Sequence, residues 1–332
     1  MNDLPNDFLR LRRLRSSVAL REALAETRVH AAQLIQPHFI VEGKKTRTPI
    51  ASLPGIDRVS VDLLADDVER DLKLGIRSVL LFGVVDDPKQ KDERASAATA
   101  QDGLVPRAVR ELKRRFEREL VVFTDVCLCA YTSHGHCGVV EEGRILNDPS
   151  LELLAGMALA HARAGADFVA PSDMMDGRVR AIRQALDREG FVETGILAYS
   201  AKMASGYYGP FRDAAHSSPK FGDRRTYQMD ARNGREALRE LLADEAEGAD
   251  LLMVKPGLAY LDVLARARAA TRLPLVVYNV SGEYAQVKAA ARNGWMDEKS
   301  VVRENLTAFA RAGADLVITY HGREALAGGW LA

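Results

Sequence analysis

The sequence of 332 residues predicts an α/β fold, a (β/α)8 TIM barrel with an N-terminal extension arm. One observation is a repeated pattern in which a helix-like stretch, a Gly-Ala-Asp turn and a short apolar strand follow one another. It occurs in AGADFVAPSD (164–173), EGADLLMVKP (247–256) and AGADLVITYH (312–321). The apolar runs after these turns are typical of buried parallel strands.

A second observation is that further apolar runs of strand length recur between helical stretches. They are LIQPHFIV (34–41), SVLLFGV (78–84), LVVFTDVCL (120–128), GILAYSAK (195–202) and PLVVYNVSG (274–282). Eight parallel strands alternating with helices predict a barrel over residues 31–332. An open doubly wound sheet is the alternative, but no G-x-G-x-x-G follows an early strand. Residues 1–30 precede the barrel, as an arm for oligomer contacts or as a partly ordered tail.

The composition excludes several classes of partner. Basic and acidic residues balance at 46 each, which favours neither a nucleic acid nor an anionic membrane. No apolar run reaches the length of about 18 residues that a membrane span needs. The N-terminal segment MNDLPNDFLRLRRLRSS has no apolar core of a secretory signal. Three cysteines in so long a chain form no disulfide framework, and we expect a reducing, cytoplasmic location.

All three cysteines lie in DVCLCAYTSHGHCG (125–138), with the spacing C-x-C-x7-C. A closed structural zinc site takes four ligands, whereas three thiolates with an open position suit a catalytic ion. Cys127, Cys129 and Cys137 are therefore candidate zinc ligands, and the alternative is three buried or redox-active thiols. Asp125 could accept a proton from metal-bound water, or it could be a simple turn residue.

In a (β/α)8 barrel the chemistry lies where the strands end and the βα-loops begin. This rule selects Asp125, Ser172, Asp173, Lys202, Lys255, Ser281 and Tyr320. Burial and a second nearby ammonium would lower the pKa of a lysine, and a neutral amine can form a Schiff base with a carbonyl. The alternative for each lysine is a surface residue or an ion-pair partner, but two lysines on adjacent strands favour catalysis.

A long loop, residues 203–228, follows the fifth strand and is rich in Gly, Ser, Pro and aromatic residues. Its length and composition favour an active-site lid. Arg212 and Arg224 could grip a carboxylate in bidentate geometry, assisted by Gln228, although surface arginines are an equal alternative. The hydroxyls of Ser281 and Tyr320 could hold a second carboxylate.

Together these residues resemble the porphobilinogen synthase family, also called the 5-aminolevulinate dehydratases. The resemblance covers nearly the whole chain and is densest in DVCLCAYTSHGHCG, APSDMMDGRV, AYSAKMASGYYGPFRDAA, FGDRRTYQMD, GADLLMVKPGLAYLD and VSGEYA. It implies the condensation of two 5-aminolevulinate molecules to porphobilinogen, with loss of two waters, in tetrapyrrole (heme) synthesis. It also implies one Schiff base on Lys255, with that substrate's carboxylate on Ser281 and Tyr320. The second substrate would meet Lys202, and its carboxylate would meet Arg212, Arg224 and Gln228.

The resemblance further implies catalytic zinc on the three cysteines and an allosteric magnesium at Glu240. It implies a homo-octamer whose N-terminal arms wrap between subunits. Some zinc-dependent members have a cysteine in place of Thr226 that helps to bind an additional metal, so we predict no such site here, and we expect His134 and His136 not to be ligands. Two other hypotheses are a lysine aldolase on the same barrel and a non-catalytic, zinc-stabilised binding protein.

Overall fold

The structure is a computed structural model that describes residues 9–331, so residues 1–8 of the predicted arm and residue 332 lie outside the described residues. Its strands are β1 Leu34–Val41, β2 Arg47–Pro49, β3 Asp57–Ser60, β4 Ser78–Gly83, β5 Val121–Val126, β6 Val139–Glu141, β7 Arg144–Leu146, β8 Phe168–Pro171, β9 Gly195–Lys202, β10 Leu251–Lys255, β11 Leu275–Asn279 and β12 Leu316–Thr319. Its helices are α1 Val18–Ala23, α2 Val61–Lys73, α3 Leu104–Phe116, α4 Asp148–Arg163, α5 Arg178–Arg188, α6 Gly209–Ala215, α7 Gly234–Ala246, α8 Leu261–Ala270, α9 Ser281–Arg292, α10 Glu298–Arg311 and α11 Gly322–Ala327.

Eight of these strands form a closed parallel barrel. They follow one another around it in the order β1, β4, β5, β8, β9, β10, β11 and β12. Pairing of Leu34 in β1 with Val317 in β12 closes the ring. The (β/α)8 fold is therefore confirmed, and the open-sheet alternative is wrong. Short strands β2 and β3 extend the sheet beside β1, while β6 and β7 form a separate hairpin within the β5–α4 connection.

The three Gly-Ala-Asp turns have one structural role. Each glycine has a positive φ after the end of a helix, at +101° in Gly165, +104° in Gly248 and +113° in Gly313. Each aspartate accepts a hydrogen bond from a backbone N–H at the start of the neighbouring strand: Asp167 from Val122 (2.7 Å), Asp250 from Ile196 (2.8 Å) and Asp315 from Leu275 (2.7 Å). The glycine thus lets the chain leave a helix and enter a strand. The aspartate then joins the start of that strand to the neighbouring strand by a hydrogen bond.

Successive residues of each strand point alternately to the inside and the outside of the barrel. Large aromatic side chains occupy many of the inward-facing positions and fill the interior. Phe39, Phe82, Phe123, Tyr199 and Tyr278 belong to this inner cluster. Tyr320 lies at the same level and its hydroxyl is 3.0 Å from that of Tyr278. The interior is thus a packed core that ends in tyrosine hydroxyls.

The described part of the predicted arm, residues 9–30, carries the short helix α1 and exposes a row of apolar side chains: Leu9, Leu11, Leu14, Val18 and Leu24. An arm that covers a neighbouring subunit would bury such a row, but its division from the barrel near residue 30 stays a prediction. Among the described helices, none combines the length and the apolar character needed to cross a bilayer.

Candidate active site

Lys202 and Lys255 end adjacent strands of the barrel and lie opposite each other in register. Each is about 5% exposed, so both amines are buried. The register shifts by one residue between Leu252 and Val254 of β10, where β9 accommodates an additional residue. The sequence-based prediction that the two lysines end neighbouring strands is therefore confirmed in position, while their chemical role stays a prediction.

Four aromatic rings surround the Lys255 amine. Its Nζ lies 4.2 Å from the ring centroid of Tyr278, 5.0 Å from Tyr199, 5.1 Å from Phe211 and 5.4 Å from Tyr208. Burial lowers the pKa of Lys255 well below its ordinary value, and the positive charge of Lys202 lowers it further. These rings were missed from the sequence, although the aromatic residues of the predicted lid and the tyrosines near the strand ends were a signal for them.

Asp125 lies at the end of β5, facing the two lysines. Burial raises the pKa of Asp125 to about 6, while a hydrogen bond with Ser172 and the charge of Lys202 oppose the rise. Its Oδ1 is buried and makes no hydrogen bond within residues 9–331. The Lys202 amine donates to the backbone carbonyl of Ser172, which joins the ends of β8 and β9. A carboxyl group with a pKa of about 6, and with one oxygen free of hydrogen bonds, can accept a proton from a substrate and release it again.

The three cysteine thiols converge beside Asp125. The Sγ atoms of Cys127, Cys129 and Cys137 all lie within 4.8 Å of one another, and those of Cys127 and Cys129 are 3.2 Å apart. All three residues are buried and none forms a disulfide. Hydrogen bonds from Cys127 and Cys129 hold the pKa of Cys137 well below that of an ordinary thiol. This geometry can hold a metal ion, because soft thiolates are preferred ligands of zinc and the triad leaves room for a further ligand.

The predicted lid is an ordered segment that contains a helix. Helix α6, Gly209–Ala215, interrupts what the sequence suggested was a continuous loop, with Pro210 in its first turn. The segment closes against two sides of the barrel mouth. On one side the Phe211 N–H donates to Ser281 Oγ (3.0 Å), and on the other Arg224 donates to the Gly135 carbonyl (2.9 Å).

Three predicted carboxylate-binding residues keep unused donors inside the site. Arg212 Nε, Arg224 Nε and Gln228 Nε2 are buried and have no hydrogen-bond partner in the described chain. Burial lowers the pKa of Arg212, and the nearby charge of Arg224 adds to this effect. Two guanidinium groups that repel each other, with donors to spare, form a suitable cradle for an anion.

Ser281 and Tyr320 are both buried at the mouth, and the structure gives each a polar partner. Ser281 Oγ donates to the Tyr207 carbonyl over 3.3 Å, in addition to accepting from Phe211. Tyr320 shares a hydrogen bond with Tyr278. Both hydroxyls lie on the side of the site that holds Lys255 rather than the cysteines, because they follow β11 and β12.

Asp173 does not touch either lysine in the structure; it lies against Arg178, a buried residue that sequence reasoning missed. The Arg178 guanidinium is 4.0 Å from Asp173 and donates two hydrogen bonds of 3.0 Å to Asp244. Burial raises the pKa of Asp173 to about 7, opposed by the charge of Arg178. The arginine in APSDMMDGRV was a signal, since a charged residue in so apolar a setting needs a partner.

Glu240, the predicted magnesium ligand, lies one helical turn before Asp244 on α7. It lines a cavity of about 280 Å³ with Asn147, Asp176 and Glu236. Burial raises the pKa of Glu240, and the neighbouring charge of Asp244 raises it further. Carboxylate and amide oxygens are the ligands that a hard divalent cation takes. Tyr227 and Gln228 of the lid also line this recess, so it adjoins the active site.

Comparisons with known proteins identify the family of the chain. The family model described as delta-aminolevulinic acid dehydratase matches residues 8–327. The chain is 54% identical to the delta-aminolevulinic acid dehydratase of Bacillus subtilis (99% of this chain, 100% of that one) and 53% identical to that of Synechococcus elongatus (97% and 98%).

A solved structure shares the whole fold. The delta-aminolevulinic acid dehydratase (porphobilinogen synthase) of Toxoplasma gondii, in complex with the reaction product porphobilinogen, superposes with a TM-score of 0.94 at 49% identity and covers 97% of this chain and 91% of that one. The chain belongs to the delta-aminolevulinic acid dehydratase family, the hydro-lyases that form porphobilinogen.

Proposed function

We propose that the protein condenses two molecules of 5-aminolevulinate into porphobilinogen, with Schiff bases on Lys255 and Lys202 and with zinc on the cysteine triad. The observation that carries the proposal is the in-register pair of buried lysines beside three clustered thiols. The product serves tetrapyrrole synthesis. A single-lysine aldolase would leave the second lysine and the thiols without a role.

Lys255 would act as a nucleophile. Burial, and beside it the charge of Lys202, lower the pKa of Lys255, which favours the neutral amine whose lone pair can attack the ketone carbon of a substrate. The rings of Tyr278, Tyr199 and Phe211 exclude water from the adduct, so that hydrolysis does not compete with carbon–carbon bond formation. Ser281 and Tyr320 lie on the same side of the site and would hold this substrate's carboxylate.

The second substrate would lie between Lys202 and the lid. Its carboxylate would take up the unused donors of Arg212, Arg224 and Gln228, which explains why one buried N–H group of each remains without a partner in the described chain. Asp125 lies between the lysines and the thiols, where its free oxygen would accept a proton during the dehydration steps.

Cys127, Cys129 and Cys137 would hold zinc, whose contribution when bound is Lewis-acid polarisation of a substrate oxygen. The three thiols fit a three-ligand site because they are clustered and unoxidised. Neither ring nitrogen of His136 points to a metal, since both face lid atoms. The same free thiols support a reducing, cytoplasmic location.

Magnesium at Glu240 and assembly as a homo-octamer complete the proposal. The acidic recess around Glu240 would bind magnesium through carboxylate oxygens and retained waters, and it would act allosterically through Tyr227 and Gln228 of the lid, which line the same recess. The apolar row on residues 9–30 supports contacts between subunits made by the arm.

The test is reduction with borohydride in the presence of 5-aminolevulinate, followed by peptide mapping. We expect adducts on Lys255 and Lys202 and loss of turnover by at least about a thousandfold in Lys255→Met, with the fold retained. Lys299→Met, a change in an exposed lysine, is the control and should keep full activity. Absence of both adducts would leave a zinc-stabilised binding protein as the better hypothesis, whereas turnover that survives chelation would favour the aldolase.

A further inference from the structure

The lid docks on three consecutive residues that lead directly into Cys137. We call His134–His136 the docking loop. The Lys220 N–H donates to the His134 carbonyl (3.0 Å), and Arg224 donates to the Gly135 carbonyl (2.9 Å). These two contacts use only the backbone of the docking loop, so they depend on its path and not on its side chains.

The His136 ring adds two hydrogen bonds to the lid. Its Nε2 lies 3.0 Å from the Phe221 carbonyl, and its Nδ1 lies 3.2 Å from the Tyr227 hydroxyl. Because a carbonyl can only accept, Nε2 carries the proton, and Nδ1 accepts from Tyr227 in the neutral tautomer. The ring also packs on Phe221, with centroids 4.4 Å apart. His136 is about 1% exposed, so the lid covers it completely.

Gly135 shows how closely lid and docking loop approach. Its φ of +75° disfavours any other residue, and a Cβ at this position would lie 2.5 Å from the Ser218 carbonyl. The path of the docking loop is therefore matched to a closed lid. A small change in that path would separate the two backbones.

The docking loop is joined to the cysteine triad by its next residue. Cys137 follows His136 directly and is fully buried. Thr132 Oγ1 donates to the His136 carbonyl (2.9 Å) and holds the peptide between the ring and the thiol. When the Cys137 sulfur is held in place, the adjoining backbone of His136 is held as well. The imidazole that hydrogen-bonds to the lid is then positioned by that backbone.

We propose that His136 is a positioning residue which couples the lid to the cysteine triad, so that metal binding by the thiols and docking of the lid stabilise each other. The inference rests on the proposed zinc site. Coupling between two sites is reciprocal, so zinc must stabilise the docked lid by the same free energy by which a docked lid strengthens zinc binding. On the lid, Tyr227 provides the hydroxyl that hydrogen-bonds to the His136 ring.

The test is amide hydrogen exchange of the intact protein, followed in peptides that cover residues 217–228, with zinc loaded and with zinc removed by a chelator. We expect the zinc-loaded lid to exchange about two- to tenfold more slowly, the range expected for one or two hydrogen bonds. In His136→Phe, which keeps an aromatic ring but loses both hydrogen bonds, exchange should be fast in both forms.

Zinc release to a chromogenic chelator gives a second readout that does not depend on activity. Tyr227→Phe removes a single hydroxyl and should release zinc about two- to tenfold faster than the unmodified protein. Tyr260→Phe, which lies outside the lid, is the matched control and should release zinc at the original rate. Tyr227→Phe also keeps the test decisive if His136→Phe does not fold.

The possible failures are distinguishable. Zinc stoichiometry is measured first, and a chain that binds no zinc at its cysteines would overturn both the proposed zinc site and this inference. If zinc binds but the lid exchanges at the same rate in both forms, the inference alone is wrong. It is also wrong if both variants respond to zinc as the unmodified chain does.

Discussion

Lys255 faces Lys202 across two strands because β9 contains one residue more than β10 over the same span. Leu197 and Tyr199 point into the barrel, and strict alternation would then place Lys202 on the outer face. The bulge before Ala201 reverses that alternation and brings the second amine inside. The proximity that lowers the pKa of Lys255 thus depends on a single irregularity of one strand.

Removal of the thiols should remove zinc and activity together. We expect the unmodified chain to bind about one zinc ion in the triad. The triple variant Cys127→Ala, Cys129→Ala, Cys137→Ala should lose this ion and turnover, as measured by atomic absorption and by porphobilinogen formation. Chelation of the unmodified protein should reproduce the loss, and added zinc should reverse it. Zinc retained at full stoichiometry in the triple variant would show that other residues bind it.

The pH profile should report Asp125. Its pKa is raised to about 6, so the carboxylate that accepts a proton is present above this pH and is lost below it. We expect kcat/KM to fall by about tenfold for each pH unit below 6. Asp125→Asn should be much slower at every pH and should lack this acidic limb. If the limb persists unchanged in that variant, another group, such as Asp173, is responsible for it.

The lid arginines should govern substrate affinity. Replacement of Arg212 by Met removes a charged donor to the second carboxylate, and we expect KM to rise by about ten- to a hundredfold. Arg225→Met is a matched control on the same segment, because the Arg225 side chain is 81% exposed and pairs only loosely with Asp223, at 3.6 Å. An equal rise of KM in both variants would mean that general lid charge, and not a specific contact, binds the substrate.

We expect the activation of the enzyme by magnesium to require the Glu240 carboxylate. In Glu240→Gln we expect activation by added magnesium to disappear while the magnesium-free rate is retained, because Glu240 belongs to helix α7 and not to a strand end that carries a lysine or a cysteine. Glu245→Gln changes a carboxylate on the same helix and should leave activation intact. The measurement is a titration of initial rate with magnesium. Activation that survives in Glu240→Gln would exclude this recess as the magnesium site.

Much of this architecture was accessible from the sequence because buried parallel strands leave uninterrupted apolar runs. All eight barrel strands were predicted, with ends within a few residues of those observed, and the residues at their C-terminal ends do converge. Helix α6 was missed because its Gly-Pro start and its Ser-rich surroundings resemble a loop, while tertiary contacts of the lid stabilise it.

The features that could not be predicted depend on geometry across the barrel. The bulge in β9 has no local signature, because it depends on how β9 and β10 line up. The aromatic residues around Lys255 and the residue Arg178 are visible in the sequence, but their arrangement is not, since the partners of each come from different βα units. Glu240 was proposed as a magnesium ligand only by resemblance, because an acidic helix face is usually just solvated.

The aspartates of the three Gly-Ala-Asp turns divide the barrel into modules. Each carboxylate joins one pair of neighbours, β5 with β8, β9 with β10, and β11 with β12. Lys202 and Lys255 share the middle module, whereas the strand that precedes Cys127 and the strand that precedes Tyr320 belong to the modules on either side. The distance between the two amines is therefore set within one two-strand unit. The distances from the amines to the thiols and to Tyr320 depend instead on the pairing of β10 with β11 and of β8 with β9, which joins that unit to its neighbours.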